Sequence, residues 1–418
     1  MNHTPRTLAK VGVAVIATLL AGCSTTANPP ALQAPSSSAA PVAPAAARGV
    51  EAAINDVPWE DVGPGWTLAT WSPAIAHRPG EERAPGEPDP NTAATTLFLV
   101  DPAANRYAIT TFSGAAANLD LTDWSGDGSR ALFTGGAKAI SVDLHTGEQT
   151  LIPAGGYARY TRPDGKALLV STSFNGNEPG TLKRIDFTGD VQQTYPTEDL
   201  GGAGQFSGRY LASPDGTQLV LGTANLGNEV VPRSDDSLVV VGNDGRIIRT
   251  LPTPMANADC APMRWWAPTV VLAACSPEQG SGSQLWTVPI DGAAPTALTA
   301  LNSGQGDDPG FGSSIAEGLA WKLPSGTFLQ SAGACGTAFL SRLTPDGHVT
   351  RVDVPGMSQS VFVTGATGDK LILEGHLDCG GGTGLVSYDP AANTSTLLLG
   401  GTVNGGGVTE AILFPEGA

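Results

Sequence analysis

A strand-turn-strand phrase recurs along this chain and limits what it can fold into. It reads DWSGDGSRALF around Trp124, YTRPDGKALLV around Tyr160, LASPDGTQLVL around Leu211 and WKLPSGTFL around Trp321. Each copy joins two short apolar runs through a Pro, Asp or Gly turn. A second phrase follows, an apolar strand that turns into a strand rich in Thr and Leu. It reads LFLVDPAANRYAITTF from Leu97, ISVDLHTGEQTLIP from Ile140, LVVVGNDGRIIRTLP from Leu238 and LVSYDPAANTSTLLL from Leu385. The turn aspartates Asp101, Asp143 and Asp186 stand 42 and 43 residues apart. Four short strands per unit, at a period of roughly 40–50 residues, are the pattern of propeller blades. With 54 Gly, 33 Pro and 15% charged residues, the chain suits many tight turns. No long segment shows helical apolar spacing, so the expected class is all-β.

Let the strands of a blade be a to d, from the central channel outward. The first phrase is then the a–b hairpin, and its turns fall near Asp127, Asp164, Asp215, Pro268, Ser325 and Gly368. The second phrase is the c–d hairpin. One c–d pair, Leu97 to Phe112, has only the b strand near Trp66–Trp71 before it. The missing a strand is expected from the segment TEAILFPEG at Thr409, which resembles half of the first phrase. The expectation is a seven-bladed propeller, 57–418, closed by a C-terminal strand joining the first blade, because an open ring leaves two unpaired sheet edges. Six blades is the alternative, if Asn257 to Leu298 is not a full blade.

The N-terminal segment is read separately. Arg6 and Lys10 precede a short apolar core from Val11 to Leu20, then Leu20-Ala21-Gly22-Cys23. The core is short for a membrane span and reads as a secretory signal. The four residues behind it have the pattern of a bacterial lipobox. Residues 1–22 are therefore expected to be cleaved and Cys23 to be lipidated, palmitate included. A tether of Ala, Pro, Ser and Thr is expected over 23–56, where there is too little apolar surface for a core. The expected place is the outer face of the cell membrane. Cleavage takes two basic residues, so the charge moves from −17 to about −19. Such a balance offers no attraction to nucleic acid or anionic lipid, so the anchor is the expected membrane contact.

Cys260, Cys275, Cys335 and Cys379 form an even set, which in an oxidising compartment favours two disulfides. Cys260 and Cys275 flank the turn at Ala267-Pro268 and can face each other across one hairpin. Cys335 and Cys379 end the second strands of consecutive blades. The expected pairs are Cys260–Cys275 and Cys335–Cys379. A zinc site lacks CxxC or clustered histidines.

The repeat resembles that of the TolB-like β-propellers, which runs roughly apolar-x-W-S-P-D-G-x-x-apolar. Trp124-Ser125 with Asp127-Gly128, Pro163-Asp164-Gly165 and Ser213-Pro214-Asp215-Gly216 carry the likeness, which covers most of 66–417. Nothing resembles the extra α/β domain of TolB itself. The segment VPWEDVGPGWTLATWS from Val57 is similar to the opening of exported actinobacterial propellers, which implies an envelope address. The resemblance implies a fold, and function has to be argued from a site.

Loops b–c and d–a share one face and hold the long insertions, where binding residues usually lie. Acid concentrates there, with Glu81, Glu82, Asp235, Asp236, Asp307 and Asp308 as the candidate face. That face would suit a basic protein partner from the envelope. Calcium is a second reading, with Asp235, Asp236, Asp307 and Asp308 as candidate ligands, although no segment has calcium-loop spacing. A solubilising surface is the competing explanation. His77, His145, His348 and His376 are scattered, and no G-x-S-x-G turn offers a nucleophile. No catalytic residue and no bound cofactor is assigned from sequence. Trp124 and Trp321, with Trp265 and Trp266, are expected between blades. The leading function is a lipid-anchored binding platform. The alternative is an extracytoplasmic receptor or enzyme using the channel mouth.

Overall fold

Every sheet begins at the channel and runs outward through four antiparallel strands in the register of the repeat, and there are seven such sheets among the described residues. The computed structural model describes residues 49–74, 83, 85–89, 91–113, 119–175, 178–224, 237–277, 282–302, 319–332, 337–377, 382–400 and 406–415. Blades 2 to 7 are four-stranded, and their a strands are Asp120–Trp124, Tyr157–Tyr160, Gln205–Ala212, Ala258–Ala267, Ala320–Leu323 and Met357–Thr367. The segment 257–298 is a full blade, with strands from Ala258–Ala267 to Thr296–Ala297. Among the described residues, the helices are two single turns of 3-10 type, Ile54–Asp56 and Trp59–Asp61.

Blade 1 is closed as its register requires. Gly407–Leu413 pairs antiparallel with Thr67–Ser72, matching Leu68 to Ile412 and Thr70 to Glu410. The Thr70 and Thr409 hydroxyls bond at 2.7 Å, and the Phe414 N–H donates to the Trp66 carbonyl at 2.8 Å. A fifth strand, Glu51–Ala53, runs parallel to Arg106–Phe112 on the outer edge. The stretch 23–56, expected as tether, thus contributes a strand that covers one open edge.

Alternating burial explains why these runs are strands. In Tyr157–Tyr160, Ala158 and Tyr160 are buried while Tyr157 and Arg159 are exposed. The buried side of each sheet packs on the next blade. Trp124 is wholly buried with Phe133 and Leu144, its indole N–H donates to the Gly128 carbonyl at 3.0 Å, and it meets Phe414 edge-on at 5.0 Å. Trp321 is buried likewise. The turns hold themselves. Asp101, Asp143, Asp186, Asp244, Asp291 and Asp389 each accept the N–H two residues on, at 2.9–3.0 Å. This local bond gives the backbone a ready turn before any tertiary contact forms.

Cys260 and Cys275 face each other in register and are joined by a disulfide. Cys23, Cys335 and Cys379 lie outside the described residues.

Because Trp124 joins blade 2 to Phe414 just beyond the closing strand, Trp124→Ala is expected to cost about 3–5 kcal/mol. Urea unfolding followed by circular dichroism checks this, and a loss under about 1 kcal/mol would contradict the inter-blade role.

Candidate functional site

The a strands of blades 3, 4 and 5 line a cavity of about 640 Å³ in the channel. It extends from Ser171 and Ser173, at the end of a b strand, to Pro214 and Pro415 beside the a–b turns. Three adjoining strands each send an arginine to it, Arg159, Arg209 and Arg264, and Arg162 follows from the first a–b turn.

Local backbone decides where each guanidinium goes. Arg159 is placed by strand alternation, between buried Ala158 and buried Tyr160. Arg209 follows a bulge, since pairing shifts between Phe206 and Tyr210. Gly208 makes the bulge possible. Its φ is +98°, and a Cβ there would stand 2.5 Å from the Ser173 Cα. Arg264 follows Pro262, where the pairing with Val270–Pro277 shifts again. Gly216, with φ +69°, lets the next a–b turn approach the Arg162 carbonyl, which a Cβ would meet at 1.8 Å.

The four cations differ in how far they are already satisfied. Arg162 donates to Asp123 Oδ1 at 2.7 Å, and the Tyr160 N–H donates to Asp123 Oδ2 at 2.8 Å. This carboxylate is buried, and the pair holds blade 2 to blade 3. The Nη1 of Arg162 is buried with no hydrogen-bond partner. Arg159 donates to the Thr122 carbonyl at 2.8 Å, yet its side chain stays 60% exposed. Arg264 donates to the Ala320 carbonyl at 3.4 Å and lies over the Trp321 ring at 5.5 Å. Arg209 is exposed, and among the described residues its guanidinium makes no hydrogen bond or ion pair.

The rest of the lining is largely apolar. Leu211, Pro262, Met263 and Trp265 contribute surface, and Tyr157 is 69% exposed. Trp265 donates its indole N–H to the Ala212 carbonyl at 2.8 Å. Expected as inter-blade core, it is half-buried and also faces the cavity, because Pro262 and the register shifts turn this end of the strand. Trp266 packs with Leu272 and Leu285 on the opposite face of the blade.

Acid meets the channel strands on the blade 1 side. Glu410, on the closing strand, accepts the Leu121 N–H of blade 2. Burial pushes its carboxyl up to about 8, with the nearby Asp120 and Glu374 carboxyls adding to the rise and the Leu121 N–H opposing it. Burial alone pushes Glu374, on the b strand of blade 7, up to about 7.

The six residues of the expected acidic face are not placed, although other acids on loops of the same side are. Glu81, Glu82, Asp235, Asp236, Asp307 and Asp308 lie outside the described residues, while Glu178, Glu198 and Asp199 are exposed. His145 stacks on Trp59 at 3.9 Å, and His348 sits in a c–d turn. Among the described residues, no group of three His, Cys, Asp or Glu side chains is arranged to hold a metal. Sequence reading missed the channel arginines. Their signal is an arginine on three successive a strands, in YARY, GRYLA and MRWW.

No protein-family profile and no curated protein matches the chain. Among solved structures it is similar to the β-propeller domain of the Trilobed protease from Pyrococcus furiosus, at 13% identity, covering 79% of this chain and 98% of that one with a TM-score of 0.48. A protein assigned as TolB from Agrobacterium tumefaciens is 13% identical over 77% and 98% of the two chains, with a TM-score of 0.40. A puromycin-hydrolyzing peptidase of Mycobacterium tuberculosis is 14% identical over 74% of this chain and 52% of that one, with a TM-score of 0.43. These likenesses concern the propeller fold.

Glu374 and Glu410 bind protons more tightly folded than unfolded, so their contribution is full below the ordinary carboxylate pKa and is lost as pH rises through about 7 and about 8. Asp127, Asp186 and Asp215 are held low, burial of Asp127 notwithstanding, chiefly by side-chain bonds from Ser125, Thr188 and Ser213, and act in the opposite sense below about pH 4. The melting temperature is expected to peak near pH 5 and to decline toward pH 9. Glu410→Gln should flatten the alkaline limb and leave the acid limb. An unchanged alkaline slope in differential scanning fluorimetry would contradict the assignment.

Proposed function

We propose that this chain is a lipid-anchored propeller on the outer face of the cell membrane, and that it acts as a receptor whose ligand sits in the channel. One observation carries the reading: three consecutive blades converge donors and apolar surface on one cavity. Polar groups that converge beside apolar and aromatic surface in one concavity are the usual form of a ligand site. Its rigid walls come from strands fixed by inter-blade packing, so little ordering cost falls on binding.

The acidic loop face is the second reading, favoured by Glu178 and Glu198, which stand exposed without an ion pair among the described residues. On that reading the loops present negative charge to a basic envelope protein, or to calcium.

Two measurements separate these ideas. Native mass spectrometry of gently extracted full chain should show an added mass below about 1 kDa, the scale of a ligand for such a cavity. Leu211→Trp, which fills the cavity, should lose it. A protein partner retained equally by both would move the function to the acidic face. For the anchor, Cys23→Ala is expected to shift the protein out of the detergent phase on Triton X-114 partition, and continued partition would refute lipidation.

A further inference from the structure

We infer that the channel cavity takes a small organic molecule carrying two or more anionic groups, carboxylate or phosphoryl, on an apolar or ring-shaped body. This rests on the channel reading above and adds the chemistry of the ligand.

Charge is the first ground. The chain has 39 acidic residues against 22 Lys and Arg, yet among the described residues the cavity lining contains Arg159, Arg162, Arg209 and Arg264 and no Asp or Glu. Asp123 pairs with Arg162 at 2.7 Å and with Arg159 at 3.8 Å and offsets one of their two charges, and Arg209 adds another. Like charges gathered beside a low-dielectric wall repel strongly, and an anion relieves that repulsion. Matching what Asp123 leaves requires more than one negative group.

Donor geometry is the second ground. A guanidinium presents five N–H donors in a planar fork that suits carboxylate and phosphoryl oxygens. Arg209 uses none of its donors on the protein among the described residues, and Arg162 keeps a buried Nη1 without a partner. Arg159 and Arg264 are each aimed by a bond to a backbone carbonyl, of Thr122 and Ala320. Both are held in place at the cavity wall, and the Arg159 side chain stays 60% exposed there.

Size and surface supply the rest. A volume of about 640 Å³ admits a metabolite-sized molecule. Trp265, Met263 and Tyr157 offer apolar and ring surface beside the cations, which calls for an apolar body between the charges. The acidic exterior disfavours long polyanions such as nucleic acid, whose charge would extend over it.

The test is isothermal titration of the full chain in detergent, at low and at physiological salt. Benzene-1,3,5-tricarboxylate, inorganic pyrophosphate and acetate serve as probes. At least one multiply charged probe should bind at one site per chain, about 30-fold or more tighter than acetate, and weaken with salt. The better of the two distinguishes ring carboxylate from phosphoryl. Arg209→Gln, at an exposed side chain without a hydrogen bond or ion pair among the described residues, should weaken binding tenfold or more. Arg246→Gln, on an outer turn, should leave it unchanged. The inference is overturned if neither probe outbinds acetate, or if Arg209→Gln binds as the parent does. A neutral or cationic molecule found in the cavity by native mass spectrometry would overturn the anion and leave the receptor standing. An empty cavity there, with no probe binding, would remove both.

Discussion

The inner edge of every a strand has no neighbouring strand, so its backbone groups must find partners elsewhere or face the channel. In this propeller, side chains of the adjacent blade supply many of them. Glu410 of blade 1 takes the Leu121 N–H of blade 2, and Arg159 of blade 3 donates to the Thr122 carbonyl on the same strand. Asp123 of blade 2 takes the Tyr160 N–H of blade 3, and Arg264 of blade 5 donates to the Ala320 carbonyl of blade 6. Gln330 of blade 6 takes the Val363 N–H of blade 7 at 2.7 Å and donates to the Val361 carbonyl at 3.1 Å. Each such bond removes a cost of roughly 1–3 kcal/mol that a buried unpaired group would carry. The constraint also selects residue types, because only a long polar side chain can reach from one blade to the next strand. The chemistry of the channel is thus partly a by-product of how the ring is held.

Packing between blades works on the same seams. Trp124, Phe133 and Leu121 fill one of them, Tyr160 and Leu168 another, and Trp321 with Leu373 a third. Where the seam is apolar the blades are pressed together, and at its channel end the polar side chains set their spacing. Arg162 and Asp123 belong to that second group, whereas Arg209 belongs to neither. A guanidinium without a hydrogen bond or ion pair among the described residues, placed by a glycine bulge, is what the receptor reading draws on most.

The architecture was legible because its signals are local. Turn aspartates such as Asp143 and Asp186 bond to the backbone two residues on, so their spacing reports the blade period directly. Trp124-Ser125-Gly126-Asp127 carries the a–b turn for the same reason, with the Ser125 hydroxyl donating to Asp127 at 2.6 Å. The partner of Thr67–Ser72 could be found only because the repeat lacked one strand. The candidate site was not legible, for it is assembled from residues roughly 50 apart on separate blades. Nothing in YARY or MRWW says that its arginine faces the same space as Arg209. That depends on the bulge at Gly208 and the shift at Pro262, which one sequence does not reveal. The acidic residues drew attention because they are abundant, although abundance places nothing.

Closure of the ring sets when the cavity can exist. The bond between Thr70 and Thr409 spans 339 residues of chain, among the longest-range contacts a domain of this size can make, and such contacts form late. Until Gly407–Leu413 docks, blade 1 lacks its inner strand, Leu121 lacks its acceptor, and Pro415 is absent from the cavity wall. A partly synthesised chain therefore presents blades without a completed pocket. On the receptor reading, ligand competence and completion of the ring are one event, and binding would report that the molecule has finished folding.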